Sequence, residues 1–350
     1  MFVDKKVTIV KLEDVAAKAK VSIATASIVL NTTDSRRVSA ATRKRVMDAA
    51  QELQYRPASY AQQMRGKNPT ILGLIIPDLM NQFYPEVTCG FSNHANTLGY
   101  NVVLLNSRND IDREEFFIET LIGMRVAGVA LCGVYSTHPQ DKQREKELIK
   151  RLMSLDIPVV CLDRYDEAPI CPYVGIDNYK AGYCMTEKLI EAGHKNIALF
   201  EPHLSLHIVE ERCRGYYDAM NKYNLTPASF KSNQMDFTDI PQQMEAMLQS
   251  RIKFTALFNA GSDMGAIECI KYAVSKGIRI PQDMSIAGFD DIYLANIVNP
   301  SLTTICQPKY EIGKSGLKLL AQMIENKKLT EQNIVLPYEY VQRNSTCNIN

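Results

Sequence analysis

Leu12–Asn31 reads LEDVAAKAKVSIATASIVLN and holds two helical patterns with almost nothing between them. Leu12, Val15, Ala16 and Ala19 recur at i, i+3, i+4 and i+7, which is one face of a helix. Only Lys20 and Val21 separate that face from Ser22, so the connection is a tight turn. Ser22 carries the hydroxyl that satisfies an unpaired backbone N–H at a helix start. A third pattern opens at a Ser39 cap and runs through Leu53. Its inner side is Val46, Ala49, Ala50 and Leu53, and its outer side is Arg43, Lys44 and Arg45. Two short helices joined by such a turn and braced by a third form a helix-turn-helix.

Charge points the same way. Residues 1–68 hold 13 Lys/Arg against 6 Asp/Glu, a net of +7. The rest of the chain holds 27 against 33, a net of −6. A small basic head on a mildly acidic body predicts that the head meets a polyanion, although an ordinary solvated surface accounts for charge alone equally well. The 350 residues allow two or three domains, and 46% hydrophobic with 23% charged is a globular composition.

Several function classes are excluded. No apolar run approaches the ~18 residues of a membrane span. The opening MFVDKKVTIVKLED has no apolar core of a secretory signal. Nine Cys without a CxxC pair fit reduced thiols, so a cytoplasmic location is expected. There is no GxSxG, GxxxxGK[ST], GxGxxG or HExxH, so neither an enzyme nor a cofactor is expected. His203 and His207 stand at i, i+4 but lack further metal-ligating neighbours.

Tyr55-Arg56-Pro57 ends the third helix, because Pro disfavours helix in the residue before it. ASYAQQMRGKNPT follows and supplies only about two helical turns, which are marginal alone. From Ile71 on, short apolar strands alternate with amphipathic helices. Strands are expected at 71–76, 101–106, 128–132 and 157–163, with helices near 84–98, 112–124 and 139–154 between and after them. The pattern restarts with YVGID (173–177), then helix 178–192, strand 196–201, helix 208–224, strand 255–260, helix 263–276 and strand 285–291. Such alternation means parallel sheets covered on both faces. The expected fold is therefore α/β: a three-helix head plus two doubly wound lobes, with ligands at the carboxyl ends of strands.

The head sequence, then VSAATRKRVMDAAQELQYRP, AQQMRG, LGLIIPD at 72–78, GHKNIAL at 193–199, IPQDMSIAGFDD at 280–291 and LTTICQP at 302–308 together resemble the LacI/GalR family of bacterial repressors. The resemblance runs over nearly the whole chain, in order. It implies a helix-turn-helix domain (1–57), a hinge helix or linker (58–69) and a type I periplasmic-binding-protein-like body (70–350) for effector binding and dimerisation. It implies DNA contacts from Ser22, Ile23, Ala24, Thr25, Ser27, Ile28, Asn31 and Tyr55. Met64 aligns with the apolar wedge that the hinge inserts into the minor groove. Members often carry Arg at the position of Ile28, where a guanidinium reads guanine; Ile28 cannot do so. Lys11 and Lys20 replace the usual Thr cap and turn Gly.

For the effector, the resemblance implies Phe83 and Tyr84 as an aromatic platform and Asp163, Arg164, Arg212, Ser262 and Asp290 as polar partners. An Arg, carboxylates and aromatic faces suit a sugar or related polyol. Gly261-Ser262 stands where members often have Asn-Asp, and Gly133 leaves room opposite, which widens the expected site. The implied partners are a near-palindromic double-stranded DNA operator, a small effector and a second copy of the chain. The chain is then a transcriptional regulator, of repressor type, controlled by that effector. Two alternatives stay open: a solute-binding protein with an appended head, and a regulator that answers to a phosphocarrier protein. No leucine heptad follows the final strand pattern, IVLPYEYVQ (334–342), so a tail-mediated tetramer is not expected.

Overall fold

The computed structural model describes residues 10–31, 38–55, 69–133, 138–164, 169–202, 206–232, 238–329 and 331–349. The hinge segment and Met64 lie outside them. The chain divides into two compact units between Pro69 and Thr70.

In the first unit, helices α1 (Leu12–Lys18), α2 (Ile23–Asn31) and α3 (Ala40–Glu52) surround a small core. Val15, Ala16, Ala19, Ala26, Val29, Val46, Ala49 and Ala50 are buried in it. The residues are small because three short helices cross closely. Each start has a local reason. Asp14 reaches back to the Lys11 N–H (2.7 Å), so the first helix is capped despite its Lys. Ser22 Oγ accepts from the Thr25 N–H (3.1 Å) and Ser39 Oγ from the Thr42 N–H (3.3 Å). The turn places Lys20 at φ 52°, the left-handed conformation usual for glycine.

The second unit contains two parallel sheets. The first has the order β11-β5-β4-β3-β1-β2, from β1 (Ile71–Ile76), β2 (Asn101–Asn106), β3 (Gly128–Leu131), β4 (Val159–Leu162), β5 (Tyr173–Ile176) and β11 (Asn333–Leu336). Helices α4 (Phe83–Thr97) and α12 (Lys309–Ile324) bury Phe91 and Leu320 on one face. Helices α5 (Ile111–Gly123) and α6 (Pro139–Ser154) bury Ile118 and Leu152 on the other. The second sheet has the order β7-β6-β8-β9, from β6 (Ile197–Glu201), β7 (Ala228–Lys231), β8 (Ala256–Asn259) and β9 (Ser285–Ala287). Helices α7 (Asn178–Glu191) and α8 (His207–Lys222) cover one face, and α9 (Ile240–Leu248) and α10 (Asp263–Ser275) the other.

In each lobe two helices meet at backbone distance. A Cβ on Gly90 of α4 would lie 2.0 Å from the Tyr310 carbonyl oxygen at the start of α12. A Cβ on Gly182 of α7 would lie 2.2 Å from the carbonyl oxygen of Arg212 on α8. Only glycine permits those approaches.

The expected strands and helices appear within about two residues of their bounds, except that the strand expected at 285–291 ends at Ala287, and two further corrections apply. Tyr173–Ile176 does not open the second lobe. It pairs with β4 and β11 in the first sheet, and the chain crosses only at Asp177, before α7. The segment 334–342 is not one strand. Pro337 lies between β11 and β12 (Glu339–Val341), and β12 pairs antiparallel with β10 (Thr304–Cys306). The strands β7 and β10 and the helices α9, α12 and the short α11 (Tyr293–Ile297) are additional to the expected elements.

Candidate functional site

Between the two sheets lies a cavity of about 610 Å³. Asp78, Arg108 and Asp163 reach it from the ends of β1, β2 and β4. Glu201, Ser232, Asn259 and Asp290 reach it from the ends of β6, β7, β8 and β9. All are carboxyl ends, where side chains from several parallel strands converge. Phe83, Phe200, Val209, Ile240 and Met264 supply apolar wall.

Arg212 is the fixed point of the site. It is 3% exposed. Its Nε donates to Asn178 Oδ1 (2.7 Å), and Nη1 donates to the carbonyl oxygens of Ala260 and Gly261 (both 3.2 Å). The guanidinium lies 3.7 Å from the centre of the Phe289 ring. Planar stacking and three bonds set its direction before any ligand arrives.

Two buried carboxyls share this wall. Asp163 has φ 65°, with the Arg164 N–H donating to the Leu162 carbonyl (2.7 Å) across it, a tight three-residue turn. Asp163 Oδ1 has no hydrogen-bond partner among the described residues. Burial, opposed by Arg212, pushes its carboxyl up to about 7. Asp290 has φ 114°, held by its own N–H to the Ile305 carbonyl (2.9 Å). It accepts from Gln307 Nε2 (2.8 Å), and burial raises its pKa as well. Backbone in such regions costs about 1–3 kcal/mol and marks functional positions when the surroundings hold it.

In the other unit, α2 presents one side outward. Ile23 is 51% exposed and Ala24 is exposed, while Thr25, Ser27 and Ile28 are half-buried. Ala26 and Val29 turn into the core. The exposed Ser22 hydroxyl bonds the Thr25 hydroxyl (2.8 Å) and accepts from the Thr25 N–H (3.1 Å). Tyr55 is half-buried against the same core.

Comparison with known proteins decides what carries these two features. Residues 11–58 match the profile described as bacterial regulatory proteins, lacI family, and residues 72–328 match a periplasmic binding protein domain. The chain is 33% identical over 340 residues to the HTH-type transcriptional regulator RegA of Clostridium saccharobutylicum, covering 96% of this chain and 98% of that one. The chain belongs to the lacI family.

Among solved structures of the family, the lac repressor dimer bound to operator and the anti-inducer ONPF superposes with a TM-score of 0.80 at 25% identity, covering 97% of this chain and all of the other. A LacI family regulator from Enterococcus faecium with bound ribose superposes with a TM-score of 0.70 at 25% identity, covering 80% and 100%. The fold is that of a lacI-family regulator, and its function is ligand-controlled DNA binding in transcription.

Within this lacI-family chain, the structure places Phe83, Asp163, Arg212, Ser262 and Asp290 on one cavity and sends two expected residues elsewhere. Tyr84 is fully buried and packs edge-on to Phe83, ring centres 5.2 Å apart. It follows Phe83 on a helix, where neighbours point about 100° apart, so both cannot face the ligand. Arg164 turns away toward α6: Nη2 lies 3.6 Å from Glu145 Oε2 and Nη1 donates to the Cys132 carbonyl (3.4 Å). The left-handed turn at Asp163 is what separates the two side chains. Gly133 gives room to this pair, not to the cavity, since a Cβ there would lie 2.2 Å from Glu145 Oε1. Ser262 is buried on the cavity wall, with its hydroxyl capping α10 through the Gly265 N–H (3.3 Å).

Asn178, Asn259, Asp239 and Gln243 were missed. Asn178 and Asn259 stand at strand ends and were findable there; Asp239 and Gln243 belong to α9, whose pattern the reading passed over. His194 is structural: buried, with Nδ1 2.9 Å from Thr255 Oγ1 and Nε2 3.1 Å from the Cys347 carbonyl. Among the described residues, no helix is long and apolar enough to cross a membrane, and no group of three or more His, Cys, Asp or Glu could hold a metal.

Proposed function

We propose that this regulator is a cytoplasmic repressor whose operator affinity is set by a sugar, or a sugar derivative, bound between the two lobes. Arg212, held by three bonds and a ring, stands in one cavity with Asp163, whose Oδ1 lacks a protein partner. That observation carries the reading. A ligand hydroxyl can donate to Asp163 and accept from Arg212, and Phe83 and Phe200 offer apolar faces to a ring. The ribose-bound family structure supports this choice.

In this reading residues 1–57 read DNA, 58–69 act as the hinge, and 70–350 bind effector and a second copy of the chain. Ser22, Ile23, Ala24, Thr25, Ser27, Ile28, Asn31, Tyr55 and Met64 face a near-palindromic operator, whose two-fold axis matches a homodimer. The basic head supplies salt-dependent affinity. An effector that prefers one lobe arrangement changes operator affinity ~5–150-fold for ~1–3 kcal/mol of coupling. Binding to genomic DNA fragments in a gel shift tests the first half; no specific band sinks it. A thermal-shift screen of sugars tests the second. Arg212→Met should abolish the shift given by whichever sugar stabilises the parent chain, while the Met variant still shifts operator DNA; a retained thermal shift removes Arg212 from the site.

A further inference from the structure

We propose that the cavity selects an uncharged polyhydroxy effector and discriminates against phosphate esters and carboxylates, because the protein's own groups already take most of its anion-binding donors and buried carboxyls outnumber its buried cations. The proposal rests on the reading that this cavity is the effector site. An anion in a protein is held by free backbone N–H groups at a helix start, or by unspent guanidinium donors.

The start of α10 faces the cavity, and most of its N–H groups, that of Met264 excepted, are already spent. The N–H groups of Gly261 and Ser262 donate to Asn259 Oδ1 (3.1 and 3.3 Å). Asp263 N–H donates to the Phe289 carbonyl (2.7 Å), and Gly265 N–H donates to Ser262 Oγ (3.3 Å). The first turn then carries its own buried carboxyl, Asp263, which accepts from the Ile292 N–H (2.8 Å) and the Thr304 hydroxyl (2.5 Å). Protein oxygens thus meet most of the first turn from within. Just before α9, Asp239 is buried and accepts from Ser232 Oγ (2.8 and 2.9 Å), so a protein carboxyl already stands beside that helix start, although its side chain does not cap it.

The cations offer little more. Arg212 spends Nε and Nη1 on protein acceptors, leaving the Nη2 amino group. Arg108 is exposed, where water and salt screen it. Against the one buried guanidinium stand three buried carboxyls on the wall: Asp163, Asp239 and Asp290. Among the buried groups described on the wall, a ligand meets the Arg212 Nη2 amino group, the Met264 N–H and the acceptor Asp163 Oδ1. Hydroxyl groups, each donor and acceptor, match that inventory; a phosphate, which only accepts, does not.

The test places a thiol in the cavity of the full chain by Met264→Cys. None of the native cysteines lines the cavity, and the parent chain supplies the background. Modification rates are measured with a neutral hydroxyethyl and an anionic sulfonatoethyl methanethiosulfonate, each normalised to the urea-unfolded chain. The anionic reagent should react about tenfold more slowly than the neutral one, the scale on which a charged cleft biases encounter. Equal or faster anionic modification overturns the proposal. A second arm compares thermal shifts with ribose and ribose 5-phosphate. A larger shift with the phosphate also overturns it. No shift with either sugar would count against the sugar reading alone, and the thiol rates then decide the charge preference by themselves.

Discussion

The ammonium of Lys309 donates to the carbonyl oxygen of Asp290 at 2.7 Å, and to that of Asp291 at 2.8 Å. Lys309 opens α12, where the chain returns to the first lobe, and it is 3% exposed. Its Nζ also lies 3.6 Å from Glu86 Oε1 on α4. One buried cation therefore pins the strained loop that presents the Asp290 carboxyl to the cavity.

Lys309→Met keeps the apolar stem and removes the donors. It should lower stability by about 1–3 kcal/mol, since buried carbonyls lose their partner. Glu86→Gln, altering an exposed ion-pair partner, should change stability by less than about 1 kcal/mol. Urea unfolding of both variants checks this. An unchanged midpoint for Lys309→Met would show that the ammonium is not holding the loop.

The Asp163 carboxyl, raised from 3.8 to about 7, predicts a pH dependence. Folding favours its neutral form. The associated stability is fully present below the ordinary value and is lost as pH rises through about 7. Asp163→Asn, neutral throughout, should lose less stability than the parent between about pH 5 and about pH 8. Glu114, fully buried and raised to about 8, contributes to both proteins, so the comparison is between their slopes. Parallel slopes would contradict the assignment.

Gly182→Ala should push α8 away from α7, because the new Cβ meets the Arg212 carbonyl oxygen at 2.2 Å and Cα at 2.7 Å. Overpacking of this kind costs about 1–3 kcal/mol. It should also shrink the sugar-induced thermal shift by moving Arg212. Gly123→Ala, with open space at the end of α5, should leave stability unchanged or raise it by up to about 1 kcal/mol. Equal effects of the two substitutions would refute the close-approach argument.

Ile28→Arg should move operator preference toward G·C at the position it faces, since a guanidinium reads guanine and an isoleucine favours a thymine methyl. Selection from a randomised site with parent and variant measures this. The same preferred base for both would remove Ile28 from base reading.

The head was legible because everything that builds it is local. The i, i+3, i+4 spacing of Leu12, Val15, Ala16 and Ala19, a Ser cap and a two-residue turn all act within twenty positions. Lys20 shows how far that reaches: its place in the turn is readable, and its φ of 52° follows from the turn, not from the residue. In the cavity, Arg212 and Asp290 were legible through a resemblance of motifs. Tyr84 and Arg164 were not, because adjacent residues carry the same motif signal while the backbone aims them apart.

The amino-acid sequence by itself determined the helical head, the basic-to-acidic division of charge, and the alternation of strands with helices. Each follows from periodicity or composition over a short span. Only the tertiary structure decided which sheet receives β5, that Arg164 joins Glu145 instead of the cavity wall, and that Asn259, Ser262 and Asp263 occupy most of the start of α10. Those outcomes depend on pairings between residues tens of positions apart or on the sign of a single φ, and no local pattern of residues encodes either.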